Sequence, residues 1–166
     1  LFRKSFTLEQ VPAKLVIHVS ADNRYKLYVN EKYVGNGPAR GDLFNWHFES
    51  IDIAPFLKEG KNVISAMVWN FAGYSPMAQF SSETGLIVQS DAAAANFIDT
   101  DSSWLVLKDT AYMPIPVNIN QYYVAGPGEQ FNCRSHEWQW METGFENAGW
   151  SHSRELEQGK PINSLG

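Results

Sequence analysis

Apolar and polar residues alternate with a period of two in the first third of the chain. Every second residue is apolar in 15–19 (LVIHV) and again in 25–29 (YKLYV). Because successive side chains of a strand point to opposite faces, each segment predicts a half-buried β-strand. The intervening SADNR contains Asp and Asn, which favour turns by hydrogen-bonding to their own backbone. With a second turn predicted at NEK (30–32), the pattern indicates a meander of short strands.

A longer strand is predicted from Val63 to Phe71, with Trp69 on the same face as Val63 and therefore expected in the core. It follows IDIAPFLKEG (51–60), which indicates a strand end and a helical turn that stops at Gly60. No stretch has the pattern of an amphipathic helix of several turns. Three more short strands, at spacings typical of a sandwich, are predicted within TGLIVQS (84–90), SWLVLKD (103–109) and EQFNCRS (129–135).

Length and composition support one all-β domain. The chain has 166 residues, 14% of them aromatic, and its 12 glycines and 8 prolines are spread as punctuation between the predicted strands. We therefore expect a single β-sandwich domain over residues 1–158. The remaining residues, 159–166, have the composition of a connector to a following domain.

Charge and cysteine content exclude several classes of function. The formal net charge is -5, whereas a nucleic-acid-binding protein needs a concentrated basic face. No apolar run approaches the roughly 20 residues that cross a bilayer, so we expect neither a nucleic-acid nor a membrane partner. Cys133 is the single cysteine, and the four histidines lack the paired spacing of a zinc site. No cofactor is therefore expected from these residues.

Five segments, taken in order, resemble one known family. FRKSFTL, SADNRYKLYVNEKYVGNGPARGD, IAPFLKEGKNVISAMVWNF, TDSSWLVLKD and FENAGW together resemble the N-terminal, non-catalytic β-sandwich of bacterial α-L-rhamnosidases, glycoside hydrolase family 78. The resemblance implies a jelly-roll, galactose-binding-domain-like fold that precedes an (α/α)6 barrel. In that family the barrel removes terminal L-rhamnose with inversion, using two acidic residues. The resemblance thus implies a downstream catalytic domain as partner and a periplasmic or secreted parent enzyme.

One residue departs from the family pattern. Where the family usually has Asn-Gly at the hairpin, this chain has Asn30 and Glu31. A residue with a Cβ tolerates a positive φ poorly, so the sequence predicts a longer or different turn instead of a tight type I′ turn.

Carbohydrate binding is the main functional hypothesis for the fragment, which carries no obvious catalytic constellation. Sugars are held by aromatic faces and by short polar or charged side chains. The candidate residues are Asp22, Asn23, Arg24, Arg40, Asp42, Trp46, Trp138 and Trp140.

Each candidate also has a structural alternative. Asp22 and Asn23 suit an Asx-type turn, and Trp138 and Trp140, two apart on a predicted strand, suit either a stacking platform or burial. In VGNGPARGDLFNW, Gly35 and Gly37 permit a positive φ, and Arg40 and Asp42 are close enough to brace the loop through a salt bridge or hydrogen bonds. Some family jelly rolls bind rhamnose through an Asp-Asn pair with calcium, so the resemblance makes Asp22 and Asn23 candidate calcium ligands.

Two functional readings remain open from the sequence. The domain is either an independent carbohydrate-binding module or a module that packs on the downstream barrel. The second reading predicts an exposed apolar patch on the fragment.

Overall fold

The computed structural model describes residues 1–115 and 127–156, and within them the chain is almost entirely β-structure. Three short 3₁₀ turns, Ala54–Phe56, Ala72–Tyr74 and Ala93–Ile98, interrupt the strands. The predicted domain boundary at residue 158 lies outside the described residues. The strands are β1 (Phe2–Leu8), β2 (Val16–Asp22), β3 (Arg24–Val29), β4 (Lys32–Gly37), β5 (Glu49–Asp52), β6 (Gly60–Trp69), β7 (Gly85–Ser90), β8 (Leu105–Val106), β9 (Tyr112–Pro114), β10 (Glu129–Phe131) and β11 (Ser151–His152).

Two antiparallel sheets enclose the core, which confirms the predicted all-β sandwich. The larger sheet has the order β11-β8-β1-β6-β3-β4, and the smaller has the order β5-β2-β7. A third sheet pairs β9 with β10. The buried apolar cluster lies between the two main sheets, because alternate residues of β2, β3 and β6 point inward from both sides.

Strand β6 is buried on both faces, and the sequence prediction selected the wrong face as the core face. Ile64 and Ala66 belong to the central cluster. Trp69 alternates with them, so it points to the outer face of the larger sheet, where it is half-buried. The prediction that Trp69 packs in the core is therefore wrong.

The predicted meander is correct for only one of its two turns. Strands β3 and β4 form a hairpin, but β2 pairs with β5 and β7 while β3 pairs with β4 and β6. The chain thus passes from one sheet to the other at Asp22 and Asn23, which are joined by a cis peptide bond. This corner places two of the candidate site residues at one end of the sandwich.

The β3–β4 turn contradicts the prediction of a longer turn. Val29 pairs with Lys32, so only Asn30 and Glu31 form the loop, with φ of 49° and 68°. Two successive positive φ angles are typical of a type I′ turn. The Asn30 side chain explains this outcome, since it donates to Asn62 Oδ1 (2.8 Å) and accepts from the Val63 amide (3.0 Å). Long-range hydrogen bonds therefore hold a turn that the local sequence disfavours.

The segment 137–150 covers part of the outer face of the larger sheet. Trp140 is 1% exposed and packs edge-to-face on Tyr28, with ring centroids 5.9 Å apart. Trp138 is 61% exposed, and no strand spans these two residues. The prediction that they share one face of a strand is wrong, because the segment folds as successive turns.

A buried arginine attaches this segment to the sheet. Arg3 donates to Asn147 Oδ1 and to the Glu142 carbonyl, and its guanidinium lies 5.2 Å from the centre of the Phe145 ring. Burial lowers the pKa of Arg3. A charge removed from water in this way is stabilised by hydrogen-bond acceptors and by the ring.

Candidate functional site

Two loops meet at the β2–β3 corner and form the candidate site. One loop joins β4 to β5 (38–48), and the other joins β6 to β7 (70–84). Between them lies a cavity of about 20 Å³, which we call the corner cavity. Its lining residues are Asn23, Arg24, Pro38, Ala39, Arg40, Gly41, Trp46, Gln79 and Phe80.

Asp22 anchors the second loop instead of facing the corner cavity. The side chain is buried, with an exposed fraction of 8%. Its Oδ1 accepts from the amides of Asn23 (2.8 Å) and Asn70 (3.0 Å). Its Oδ2 accepts from the Ser82 backbone amide (2.6 Å) and the Ser81 hydroxyl (3.1 Å). A carboxylate offers about four lone-pair positions, so four donors leave Asp22 no free acceptor.

Asn23 brings an unpaired acceptor to the corner cavity. The residue is 4% exposed, and its Nδ2 donates to Asp22 and to the Phe80 carbonyl (2.7 Å). Its Oδ1 is buried and has no hydrogen-bond partner, and the same holds for Nε2 of Gln79. An unpaired buried polar atom is costly, and a cavity of this size holds one water-sized group. The two residues therefore leave one acceptor and one donor without partners in the wall of the corner cavity.

Two arginines and one tryptophan complete the rim of the corner cavity. Arg24 donates to the Pro38 carbonyl (3.0 Å), which orients its guanidinium. Arg40 is exposed, and Trp46 is half-buried. Trp46 also lines a wider groove of about 850 Å³ that runs along β7. The arrangement can therefore offer an aromatic surface and two cationic side chains beside the unpaired Asn23 Oδ1 and Gln79 Nε2 atoms.

Glu49 fixes the base of the first loop. Its carboxylate accepts from the Tyr25 hydroxyl (2.9 Å) and from the Ala39 amide (2.8 Å). Burial, and then the hydrogen bond to Glu49, raise the pKa of Tyr25. A Cβ on Gly37 would lie 2.5 Å from Cδ of Glu49, so a larger residue here would force the Glu49 carboxylate to move. Gly35 and Gly37 do not have positive φ, so the loop does not use the backbone freedom that these glycines permit. The absence of a side chain at Gly37 allows the Glu49 carboxylate to approach the strand closely.

Asp42 holds the tip of the first loop. Its carboxylate accepts from the backbone amides of Phe44 (2.8 Å) and Asn45 (2.9 Å). Hydrogen bonds from the Asn45 side chain, the Phe44 amide and the Asn45 amide lower the pKa of Asp42. The ion pairs of residues 1–115 and 127–156 do not include one between Arg40 and Asp42. Asp42 thus braces the loop alone and does not line the corner cavity.

The predicted site residues therefore separate into three groups. Asn23, Arg24, Arg40 and Trp46 come together around the corner cavity. Asp22 and Asp42 act as loop anchors through their hydrogen bonds. Trp138 and Trp140 belong to the 137–150 segment and do not line the cavity.

The oxygen atoms near Asp22 do not match a calcium site in this arrangement. Calcium requires about six to eight oxygen ligands, whereas the Asp22 carboxylate is surrounded by N–H and O–H donors. No cluster of three His, Cys, Asp or Glu side chains able to hold a metal occurs within the described ranges. A calcium ion at Asp22 and Asn23 would require these side chains to exchange partners.

Several residues of the site carried no recognisable signal in the sequence. Gln79 lies in the polar stretch SPMAQFSSE, which indicates only a loop. Glu49 is one of eighteen acidic residues, and its contact with Gly37 joins two consecutive strands, β4 and β5, that belong to different sheets. Only the fold brings these groups together.

None of the helical segments in the described part of the chain is long and apolar enough to cross a membrane.

Three of the solved structures that resemble the chain are rhamnosidases from different organisms. A GH78 family rhamnosidase from Bacillus sp. GL1 is 29% identical, with a TM-score of 0.78 over 93% of this chain and 16% of that protein. An α-L-rhamnosidase from Aspergillus terreus is 20% identical, with a TM-score of 0.67 over 94% of this chain and 19% of that protein. An α-L-rhamnosidase from Streptomyces avermitilis complexed with L-rhamnose is 20% identical, with a TM-score of 0.55 over 91% of this chain and 12% of that protein.

The chain therefore spans less than a fifth of the length of each of these enzymes. The two likenesses at 20% identity establish the fold alone. A search of curated proteins found no match. The model of the α-L-rhamnosidase N-terminal domain family matches residues 10–164, and the chain belongs to that family.

Proposed function

We propose that this domain is a non-catalytic accessory domain of an α-L-rhamnosidase-type glycoside hydrolase and that it binds carbohydrate at the corner cavity. The observation that carries the proposal is the pair of unpaired buried atoms, Asn23 Oδ1 and Gln79 Nε2, on the lining of one small cavity. A sugar hydroxyl is both donor and acceptor, so it has the chemistry to pair with either atom once the side chain turns toward the cavity.

The rim of the corner cavity suits the rest of a pyranose ring. Trp46 offers an aromatic face to the C–H surface of the sugar, and Arg24 and Arg40 offer donors to neighbouring hydroxyls. Arg24 is already oriented by the Pro38 carbonyl, and both loops are anchored by Asp22 and Glu49. Little ordering is then required on binding, which favours affinity.

Isothermal titration of the 166-residue chain with L-rhamnose tests the proposal. This sugar is the first probe because the Streptomyces avermitilis relative was crystallised with it. We expect saturable binding, weakened about tenfold or more in Gln79→Ala and Trp46→Ala, because each removes a direct contact. Trp138→Ala is the matched control, since Trp138 is exposed but lies outside the corner cavity.

Titrations with added calcium and with a chelator test the calcium hypothesis in the same experiment. Binding that requires calcium supports a rearranged Asp22-Asn23 site. Equal binding in both solutions removes calcium from the proposal. Absence of saturation with L-rhamnose and with rhamnosylated oligosaccharides, in both solutions, would overturn carbohydrate binding at this site.

The domain has a second proposed function, packing on the downstream catalytic domain, which is supported by a separate exposed surface. Tyr112, Phe131 and Trp138 are exposed and pack against one another around His136, and Met113 and Ile115 are exposed beside them. Aromatic residues and Met are enriched in the buried centres of protein interfaces. We call this surface the β9–β10 aromatic cluster.

Chemical oxidation of tryptophan, followed by peptide mass spectrometry, shows whether the β9–β10 aromatic cluster is exposed or covered by the catalytic domain. Trp138 should be oxidised readily in the 166-residue chain and protected in a polypeptide that also contains the catalytic domain. Trp140, which is buried, provides the internal reference in both samples. Equal oxidation of Trp138 in the two samples would exclude this surface as the interdomain contact.

A further inference from the structure

The tip of the loop that bears Arg40 and Trp46 exposes apolar side chains next to the proposed sugar site. Phe44 is 95% exposed, and Leu43 is more than half exposed. Phe44 is only two residues from Trp46, a separation of at most about 7 Å along the backbone. The tip therefore lies next to the wall of the corner cavity formed by Gly41 and Trp46, although Leu43 and Phe44 do not line the cavity.

The backbone of this tip is held in place although its side chains are exposed. Asp42 accepts hydrogen bonds from the amides of Phe44 and Asn45. The two ends of the loop are also attached, through the Ala39 amide to Glu49 and through the His47 carbonyl, which accepts from the Ser20 hydroxyl (2.7 Å). A pre-ordered apolar surface costs little further entropy when a ligand covers it.

The corner cavity itself has room only for a small polar group. Its volume of about 20 Å³ accommodates one hydroxyl-sized group, so most of any bound glycoside must lie outside it, across the rim. The rim residues Arg24 and Arg40 are cationic and suit hydroxyls, whereas Leu43 and Phe44 offer no polar side-chain group. The rim and the adjacent loop tip thus match the two chemically different parts of a glycoside.

We infer that Leu43 and Phe44 form a subsite for the apolar group attached to the bound sugar, so that the domain prefers glycosides with an aryl or alkyl aglycone to the free sugar. This inference rests on the proposed carbohydrate site and adds its ligand class. The aglycone covers Phe44 and removes apolar surface from water on both sides of the contact.

Comparison of methyl α-L-rhamnopyranoside with p-nitrophenyl α-L-rhamnopyranoside by isothermal titration tests the inference on the 166-residue chain. We expect the aryl glycoside to bind about tenfold more tightly, a size of effect typical of one aromatic contact with its buried area. Phe44→Ala should abolish this preference and leave the affinity for the methyl glycoside unchanged. Phe48→Ala is the matched control, because Phe48 is an exposed phenylalanine on the same loop that packs on His18 instead of standing at the tip.

The outcomes separate this inference from the proposed function. Loss of the preference in Phe44→Ala alone supports the aglycone subsite. Equal affinity for the two glycosides, or an unchanged preference in Phe44→Ala, overturns the subsite while leaving the sugar site intact, and assigns the tip to another contact. Failure of both glycosides to bind overturns the sugar site and the subsite together.

Discussion

Substitution of Gly37 by alanine should destabilise the domain by disconnecting Glu49 from the loop that it anchors. The new Cβ would lie 2.5 Å from Glu49 Cδ, closer still to Oε2, and 2.9 Å from Cε1 of Tyr25. The Glu49 carboxylate must move, although its two oxygens hold Tyr25 and the Ala39 amide. The substitution therefore breaks the hydrogen bonds that Glu49 accepts from the Tyr25 hydroxyl and the Ala39 amide.

The magnitude follows from these two hydrogen bonds. Each bond to a charged group contributes about 1.5–3 kcal/mol, and loss of both leaves the buried Tyr25 hydroxyl without its partner. Alanine lowers the entropy of the unfolded chain relative to glycine, which returns about 0.4–1 kcal/mol. We expect a net loss of about 2–5 kcal/mol in the free energy of unfolding. For a domain of this size that corresponds to about 5–15 °C in Tm.

Urea denaturation followed by circular dichroism measures this change. Gly73→Ala is the matched control, since a Cβ on Gly73 meets no atom within 4 Å and its φ is not positive. In a Glu49→Ala background the Gly37→Ala change should lower the free energy of unfolding by less than half as much, because the Glu49 carboxylate that the new Cβ would contact is absent. A loss below about 0.5 kcal/mol in the wild-type background, the range of neutral surface changes, would refute the reasoning.

Three further predictions concern other anchors. Asp22→Asn should lower the free energy of unfolding by about 2–4 kcal/mol, since an amide cannot accept from all four donors. Amide hydrogen exchange should become faster in residues 70–84, and Glu31→Gln, at an exposed position, is the control. Arg3→Met should raise the rate of amide hydrogen exchange in residues 137–150 about tenfold, because the hydrogen bonds from Arg3 to Asn147 and Glu142 are lost. An unchanged rate would refute the idea that Arg3 holds this segment on the sheet. Backbone hydrogen bonds from Leu15 and Ala54 lower the pKa of Asp52, so its stabilisation is complete above the unfolded value near pH 4 and is lost as the pH falls through the folded pKa. Asp52→Asn should therefore be less stable at pH 6 but lose less stability between pH 6 and pH 3, as urea titrations will measure.

The strands with strong alternation could be predicted from the sequence, but their partners could not. The segments of β2, β3, β6 and β7 follow from periodicity. The assignment of β2 and β3 to different sheets depends on pairings with β5, β6 and β7, which local patterns do not encode. In β6 the residues on both faces are apolar enough to be buried, so alternation could not select the core face and Trp69 was misplaced.

The site was predictable to the same extent. Asn23, Arg24, Arg40 and Trp46 were recognisable as candidates because they lie in turn-rich stretches with polar and aromatic side chains. Asp22 could not be distinguished from them, since its four donors come from segments up to sixty residues away. The type I′ turn at Asn30 was missed for a similar reason, because its stabilising contacts with Asn62 and Val63 are long-range.

The position of β1 inside the larger sheet constrains how the domain can assemble. This strand lies between β6 and β8, and its register partners are residues 60–66 and 105–106. During synthesis its β6 edge therefore stays open until residue 66 has been made, and its β8 edge stays open until residue 106 has been made. An unpaired strand is a template for association with other chains. Aggregation of the nascent or truncated polypeptide is thus a hazard that the fold itself creates, and a deletion of Phe2–Leu8 would expose the facing edges of β6 and β8 to the same fate.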